Sequence, residues 1–252
     1  MISNKNLTKF ISKIKKPSSG NSIGNHEISK TSKQKMENFK ISDNFYTLQR
    51  EFFMTDAVTL SKSLLGKILV RKLNNTLIKC RIVEVEAYIG GEDKGSHTYQ
   101  NKKTERTKYF WNPGGFLYVY LIYGTNHCFN IVANDSSLPQ ACLIRAVEPL
   151  SGQQIISQNR QQTNKKRYVH SEYNLTNGPG KVCSALKIDR TYNGHDMCNS
   201  NELFLVEDDS PYKFKIKSSP RINIDYAEDY RDKPWRFFIK DNQFVSKHKY
   251  ND

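Results

Sequence analysis

The stretch RIVEVEAYIGGEDKGSH, residues 81–97, brings two carboxylates, a tyrosine and a histidine close together in the chain. Its valines alternate with Glu84, Glu86 and Tyr88, which predicts a β-strand that carries these three side chains on one face. A carboxylate beside an aromatic wall can act as a general base toward a water molecule. A solvent-facing strand residue is the commoner alternative, and for Glu84 it is the preferred interpretation.

His97 follows a glycine pair, Gly90 and Gly91, that ends this strand. The pair predicts a turn that brings His97 back toward the strand end and Glu86. An imidazole in that position is suited to an active site, and it is equally suited to a structural hydrogen bond. Both interpretations of His97 stay open on sequence alone.

Tyrosines recur in the segment LYVYLIYG, residues 117–124. The alternation predicts the first strand of a hairpin, with Tyr118 and Tyr120 on one face and a turn at residues 124–126. Tyr123 comes immediately before that turn, where an aromatic side chain can serve as a wedge that enters a DNA duplex. Tyrosine also alternates in purely structural strands, because it suits half-buried sheet surfaces.

Two polar residues interrupt apolar strand patterns. Arg145 lies within CLIRAVEPL, and a buried guanidinium must be paired, here with either Glu148 or Glu86. Asn130 ends the segment HCFN among apolar neighbours. Each is a candidate for a pocket lining or for a satisfied core position.

The segment NGPGKV, residues 177–182, predicts the start of a helix at a Pro-Gly pair. Exposed backbone N–H groups at a helix start, with Lys181 beside them, are suited to contact a phosphate. The spacing differs from that of a P-loop, which requires G-x-x-x-x-G-K-[ST].

The elements that must position these residues are short and mixed. A helix in TDAVTLSKSLLGK with Thr55 or Asp56 as its cap precedes a hairpin that turns at Asn74-Asn75. Later segments, among them ACLIRAVEPL, FLVED, PRINI and WRFFIK, predict further strands. The pattern predicts the α+β class, as one mixed domain of antiparallel character over residues 46–248.

Composition limits the classes of partner that the protein is suited to bind. The 252 residues carry a formal net charge of +14, which favours a polyanion such as nucleic acid over a membrane surface. No apolar run approaches the roughly 20 residues of a membrane helix, and five scattered cysteines argue against a disulfide scaffold or a zinc site. Residues 1–45 predict a disordered basic tail, with a mitochondrial targeting segment or a DNA-contacting arm as alternatives.

Taken in order, several segments resemble the alkyladenine (3-methyladenine) DNA glycosylase family. The resemblance covers residues 45–245 and rests on LLGKILVRKL, RIVEVEAYIGGEDKGSH, PGGFLYVYLIYGTNHCFNIV, CLIRAVEPL, NGPGKVCSAL and PWRFFI. It implies a single domain with a curved antiparallel sheet and flanking helices, and no metal or organic cofactor.

The resemblance also implies residue roles at the reacting centre. Glu86 corresponds to the general base that activates the attacking water, and Arg145 to an arginine that helps to hold that water. The backbone carbonyl of Ile222 would be a third ligand to it. Tyr123 corresponds to the side chain that intercalates into the minor groove.

For the flipped base, the resemblance implies stacking on Tyr88 from one side and on His97 and Tyr120 from the other. Asn130 corresponds to the asparagine that collides with the exocyclic amine of guanine. Lys181 is our own choice for a phosphate contact, made from its position at the helix start.

The implied activity is that of a monofunctional DNA glycosylase without lyase activity. It would hydrolyse the N-glycosidic bond of 3-methyladenine and 7-methylguanine, and of some deaminated or etheno purines, by base flipping, and so initiate base excision repair. The partner would be double-stranded DNA with a damaged purine, bound by a monomer. Alternatives are a non-catalytic DNA-binding protein on the same scaffold and a hydrolase of free nucleosides.

The Asn- and Lys-rich tail suggests a eukaryote with an A·T-rich genome. We therefore expect the protein in the nucleus, with the mitochondrion as a further location and the cytoplasm if the source is bacterial.

Overall fold

The computed structural model of the chain describes residues 46–133, 137–163, 171–208 and 212–251. The tail predicted for residues 1–45 lies outside these described residues. The domain boundaries predicted at 46 and 248 stay predictions.

An eight-stranded sheet, paired antiparallel throughout its named strands, forms the body of the described chain. This sheet with flanking helices confirms the predicted α+β class and the single domain. Its strands are β1 (Ile68–Leu73), β2 (Thr76–Tyr88), β3 (Leu117–Ile122), β4 (Asn126–Ala133), β5 (Gln140–Ser151), β6 (Leu203–Val206), β7 (Ile216–Ser219) and β8 (Arg236–Ile239).

β2 is the strand on which the sheet is organised. The main path runs β3-β4-β5-β2-β1-β6, while β8 pairs with the second half of β2 and also with β7. β1 and β2 form the predicted first hairpin. It turns at Asn74-Asn75, where Asn74 has a φ of 53°. The second half of β2, which carries Glu84 and Glu86, therefore has a neighbour on each side.

β3 and β4 form the predicted second hairpin, but its turn begins one residue earlier than expected. Tyr123 and Gly124 are the central residues, with φ values of 53° and 68°, and Asn126 already belongs to β4. Positive φ at both central positions is the conformation that matches the twist of a hairpin. Glycine adopts it freely, whereas a tyrosine adopts it at a cost of about 1–2 kcal/mol.

The described residues form four α-helices, of which α2 and α4 pack on the sheet and α3 packs on α4. α1 (Arg50–Phe53) and α2 (Ala57–Leu64) precede β1, and α3 (Gln153–Thr163) and α4 (Pro179–Leu186) follow β5. Asp56 is the cap of α2, as one of the two predicted alternatives, because its carboxylate accepts from two N–H groups of the first turn. α2 packs against β2 and β5, and α4 packs against β4 and β5, so that a continuous apolar core lies beneath the helices.

The strand predicted for PRINI is wrong. β7 ends at Ser219, and Pro220 follows, which has no N–H for a sheet ladder. Arg221 and Ile222 are buried outside any strand, and Asn223 has a φ of 60°. A 3₁₀ segment, Asp225–Tyr230, then leads toward β8. The residues whose apolar pattern predicted a strand are buried within a loop instead.

Among the described residues, no helix has both the length and the apolar character needed to cross a membrane.

Gly90 allows the close approach that starts the loop toward His97. A Cβ built there would lie 2.4 Å from both the carbonyl oxygen and Cγ of Pro139. We expect Gly90→Ala to lower the free energy of unfolding by about 1–3 kcal/mol, because the obstacle is backbone that cannot rotate away.

Urea denaturation measures this effect, with Gly178→Ala as the control. Gly178 precedes α4, and its nearest neighbour is the flexible Lys181 side chain at 3.8 Å, so alanine there should cost about 1 kcal/mol or less. Equal losses for the two variants would contradict the proposed role of the contact with Pro139.

Candidate active site

A cavity of about 370 Å³ opens between the hairpin tip, the start of α4 and the loop that follows β7. Its size lies within the range of small-molecule sites in proteins. Seven of the nine predicted site residues line it: Tyr88, His97, Tyr120, Tyr123, Asn130, Arg145 and Ile222. The structure thus brings together residues that are up to 134 positions apart in the chain.

The sheet register explains this convergence. Directly opposed residues on neighbouring strands share a face, and one row of such residues crosses five strands. The row consists of Tyr118, Asn130, Leu143, Glu86 and Arg236. The polar residues of this row come from separate segments of the chain and therefore share one face of the sheet.

Glu86 is fully buried and accepts hydrogen bonds from three groups. The hydroxyl of Tyr88 donates to its Oε2 over 2.8 Å, Arg145 Nη1 donates to the same oxygen over 3.2 Å, and the N–H of Ile222 donates to Oε1 over 2.7 Å. An ionised carboxylate only accepts, and every contact here is a donor. All three donors line the cavity, so Glu86 lies directly behind its wall.

Arg145 joins Glu86 to a second acid. Its Nε donates to Oε1 of Glu84 over 2.9 Å, in addition to the contact from Nη1 to Glu86. Of the two predicted partners Glu86 is correct and Glu148 is wrong, because Glu148 pairs with Arg81 at 2.9 Å. Burial would lower the pKa of Arg145, but the carboxylates of Glu86 and Glu84 outweigh it and raise that pKa.

The register of β2 against β5 changes at this point. Glu84 is opposite Ala146 and Val85 is opposite Ile144, so Arg145 is an extra residue without an opposed partner. Such bulges occur next to active sites, where they redirect a side chain. The irregularity lies where the guanidinium must reach both acids.

The solvent-facing position predicted for Glu84 is wrong. Its side chain is fully buried and accepts from Arg145, from Arg236 Nε over 2.7 Å, and from both the N–H and the hydroxyl of Ser246. Burial raises the pKa of this carboxyl, but Arg145 and Arg236 reverse the effect and lower it. β8 and the residues after it cover the face of β2 that carries Glu84. The alternation along β2 does not show which segment covers that face.

One wall of the cavity is a set of packed rings. Tyr118 and Tyr120 share a face, as predicted, and stack with their centroids 5.2 Å apart, while His97 meets Tyr120 edge to face at 4.6 Å. His97 Nδ1 lies 2.9 Å from the hydroxyl of Tyr118, which also accepts from Arg106 Nε at 2.9 Å. Desolvation of the ring and the charge of Arg106 lower the pKa of His97 to about 4.

The opposite wall is Tyr88, supported from behind by a pair of residues that the sequence analysis missed. Arg221 lies 4.6 Å from the centre of the Tyr88 ring and forms a fully buried ion pair with Asp93. Asp93 also accepts from the N–H groups of Ile89 and Gly95, which fixes the loop toward His97. An arginine between Pro220 and Ile222 was the signal available, since it resembles Arg145 in an apolar segment.

The remaining predicted residues occupy distinct places. Asn130 is buried and donates to the carbonyl of Tyr118 over 3.0 Å, so its amide orientation is fixed. Tyr123 is 80% exposed at the cavity rim. Lys181 is outside the lining and donates to Asn177 over 2.6 Å, although Pro179 and Gly180 beside it line the cavity. Ile222 presents its N–H to Glu86, and the role predicted for its carbonyl stays a prediction.

A protein-family model described as "Methylpurine-DNA glycosylase (MPG)" matches residues 51–243. Three bacterial relatives carry the name "Putative 3-methyladenine DNA glycosylase". They come from Natranaerobius thermophilus (50% identical), Alkaliphilus oremlandii (47%) and Desulfitobacterium hafniense (44%), and each alignment covers 79% of this chain and 98% of the relative. Because these relatives are bacterial, they lend no support to a nuclear location, which stays a prediction.

The lowered pKa of His97 predicts how the free energy of unfolding depends on pH. Between pH 6.5 and about 4 the unfolded chain binds a proton at His97 that the native ring does not bind. The free energy of unfolding therefore falls as the pH drops through this window. The variant His97→Asn removes this contribution, so it should gain stability relative to the unchanged protein between pH 7.5 and pH 5.

Urea denaturation of both proteins at the two pH values measures the difference. His248→Asn serves for comparison outside the cavity lining: desolvation and the charges of Arg236 and Lys249 lower the pKa of His248 as well, so this variant should show a change of the same sign but smaller. A stability difference between His97→Asn and the unchanged protein that is the same at both pH values would contradict the prediction.

Proposed function

We propose that this chain, which belongs to the methylpurine-DNA glycosylase family, excises methylated purines from double-stranded DNA after flipping them out of the helix. Family membership makes it a DNA glycosylase, and therefore a hydrolase that binds DNA. The proposed substrates are 3-methyladenine and 7-methylguanine, with deaminated and etheno purines as an extension. The proposed products are a free base and an abasic site in an uncut strand.

One observation carries this proposal. Glu86 is a buried carboxylate behind a ring-walled cavity, and the three groups that donate to it line that cavity. A carboxylate has about four lone-pair positions, so three donors leave capacity for one more. A water molecule that reaches the cavity floor would donate there, within reach of a sugar whose base occupies the cavity.

The reaction then balances with groups of the chain and one water molecule. Glu86 takes a proton from the water, and the hydroxide oxygen forms a bond to C1′ of the deoxyribose. The bond from C1′ to the purine nitrogen breaks, and its electron pair goes to the base. A purine alkylated at N3 or N7 is cationic, so this pair neutralises it and it leaves without a further proton.

Position and charge supply most of the proposed catalysis. Arg145 and Ile222 fix Glu86 before the substrate arrives, and holding reactants in the reacting geometry can lower a barrier by about 7–11 kcal/mol. The carboxylate would also stabilise the positive charge that develops on the sugar. Stacking of a cationic base on a tyrosine contributes less, about 0.5–2 kcal/mol.

The rings at the cavity already have cations beside them. Arg221 packs on Tyr88, and the guanidinium of Arg106 lies 5.5 Å from the centre of the Tyr120 ring. A second cation on the same ring gains less from its π-electrons, so charge selects a methylated base only weakly. This arrangement supports the extension to neutral damaged purines, which would be held by stacking and, leaving with the electron pair as anions, would take up a proton from solvent water.

Tyr123 and Asn130 have complementary proposed roles. Tyr123 projects from the hairpin tip and would fill the space that the flipped base leaves in the duplex. Asn130 has its amide fixed by the Tyr118 carbonyl, so it would exclude guanine by contact with the exocyclic amine. The net charge of +14 favours DNA over free nucleosides as the substrate.

The alternative function is a DNA-binding protein on the same scaffold without catalysis. The tyrosine wedge and the basic charge would serve it equally, but a buried carboxylate directly behind the cavity wall would then have no use. Release of free base from duplexes that contain 7-methylguanine or hypoxanthine separates the two functions.

Glu86→Gln tests the chemistry directly. The amide cannot accept a proton from water, so single-turnover excision should fall by about 10²–10⁴-fold. DNA affinity, measured by fluorescence anisotropy, should stay close to that of the unchanged protein because Glu86 lies behind the cavity wall.

Glu148→Gln is the matched control, since it removes an ion-paired carboxylate of β5 outside the cavity. It should excise at the unchanged rate. Near wild-type excision by Glu86→Gln would refute the proposed general base.

Tyr123→Asn separates stability from function at the hairpin tip. Asn-Gly is the favoured pair for this turn. The free energy of unfolding of the variant should therefore equal that of the unchanged protein or exceed it by up to about 1–2 kcal/mol. Excision from duplex DNA should nevertheless fall by about tenfold or more, since the wedge is lost.

Thermal unfolding and single-turnover excision give the two values. Tyr46→Asn is the control, because Tyr46 is 85% exposed and outside the cavity lining. Loss of stability with unchanged excision in Tyr123→Asn would contradict both expectations.

A further inference from the structure

Four charged side chains form one buried cluster beneath the cavity. They are Glu84, Glu86, Arg145 and Arg236, and none is more than 7% exposed. Two acids and two arginines balance formally, as burial requires, because an uncompensated charge there would be very costly. Balance alone, however, does not determine which arginine serves which acid.

Arg145 divides its contacts between the two acids. A guanidinium can bind one carboxylate through two parallel N–H groups, which is the stronger arrangement for a single pair. Here Nε donates to Glu84 over 2.9 Å, and Nη1 donates a single hydrogen bond to Glu86 over 3.2 Å. The longer contact is the one to Glu86.

Glu84 is itself held from the side opposite Arg145. Arg236 Nε donates to it over 2.7 Å, and the N–H and hydroxyl of Ser246 donate over 2.8 and 2.7 Å. Asn251 in turn accepts from Arg236 Nη2 over 2.8 Å. β8 and the segment after it therefore fix Glu84, which is fully buried and outside the cavity lining.

We propose that Glu84 is a positioning residue that keeps Arg145 from closing onto Glu86 as a two-point ion pair. By holding Nε, Glu84 limits Arg145 to one hydrogen bond with the base and leaves the cavity edge of the guanidinium for water. This inference rests on the proposed function, in which Glu86 takes the proton of the attacking water.

Loss of the Glu84 charge should change the rate of excision and its pH dependence in a defined direction. Without its charge, Arg145 turns to Glu86 and neutralises it more completely, so Glu86 becomes a weaker base. Excision slows, and the acid limb of the pH–rate profile moves to lower pH. Other titratable or charged groups that face this cluster are Tyr88, Tyr120, Cys128, Arg221 and His248.

Glu84→Gln and Arg236→Gln form a matched pair for the test. Each removes one buried charge from the same cluster and should lower stability, but only Glu84→Gln removes the negative charge that holds Nε of Arg145, because an amide oxygen is a weaker acceptor than a carboxylate. Single-turnover excision from a duplex with one 7-methylguanine is measured from pH 5 to pH 9, with DNA affinity measured separately.

We expect Glu84→Gln to excise about tenfold or more slowly at unchanged affinity, with its acid limb at lower pH. Arg236→Gln should stay within about threefold of the unchanged rate, with its acid limb unmoved or at higher pH. Shifts of the same sign and size in both variants would overturn the proposal, because they would mean that only general loss of structure slows the reaction.

Glu84→Asp provides the test if Glu84→Gln does not fold. Aspartate keeps the charge but is one methylene too short to hold Nε, so excision should slow and the acid limb should move to lower pH, by less than in Glu84→Gln. An unchanged rate in Glu84→Asp would overturn the proposal. Wild-type excision by Glu86→Gln would overturn the proposed function itself, whereas loss in Glu86→Gln together with a wild-type Glu84→Gln would overturn only the role of Glu84.

Discussion

The structure depends on the burial of two carboxylates on one strand. Glu84 and Glu86 share a face of β2, and both are fully removed from water. Such charges persist in a protein interior only when donors satisfy them from every side. Arg145 on β5, Arg236 on β8, Ile222 after β7 and Ser246 near the chain end supply those donors. Much of the later chain therefore converges on one short stretch of strand, and the cavity lies beside that convergence.

The two acids differ in what surrounds them rather than in type. Apart from Arg145, which donates to both acids, Glu84 accepts from groups that lie away from the cavity, whereas each donor to Glu86 forms part of the cavity wall. The first environment stabilises a charge that never meets substrate. The second places a charge directly behind the cavity wall. Differences of this kind allow neighbouring carboxylates to take structural and chemical roles.

The cavity walls are stiff, and the rim is the part that is strained. Arg221 and Asp93 fix Tyr88 and the loop to His97, while Tyr118 fixes His97 and Asn130. Tyr123, by contrast, keeps a left-handed backbone at an exposed tip where asparagine or glycine would be more stable. Strain of this type is retained at positions where a side chain has a use that stability does not provide.

The sequence by itself determined the strands of both hairpins, the class of fold and seven of the residues that line the cavity, and it narrowed the α2 cap to Thr55 or Asp56. Those features follow from local periodicity, from turn residues and from polar side chains in apolar runs, together with the family resemblance. Only the tertiary structure decided that Glu84 is buried, that Arg145 bridges two acids, and that Asp93 and Arg221 support Tyr88. These facts depend on which distant segment covers a given face, as Ser246 covers Glu84 across 162 positions, and alternation along one strand carries no information about its neighbours.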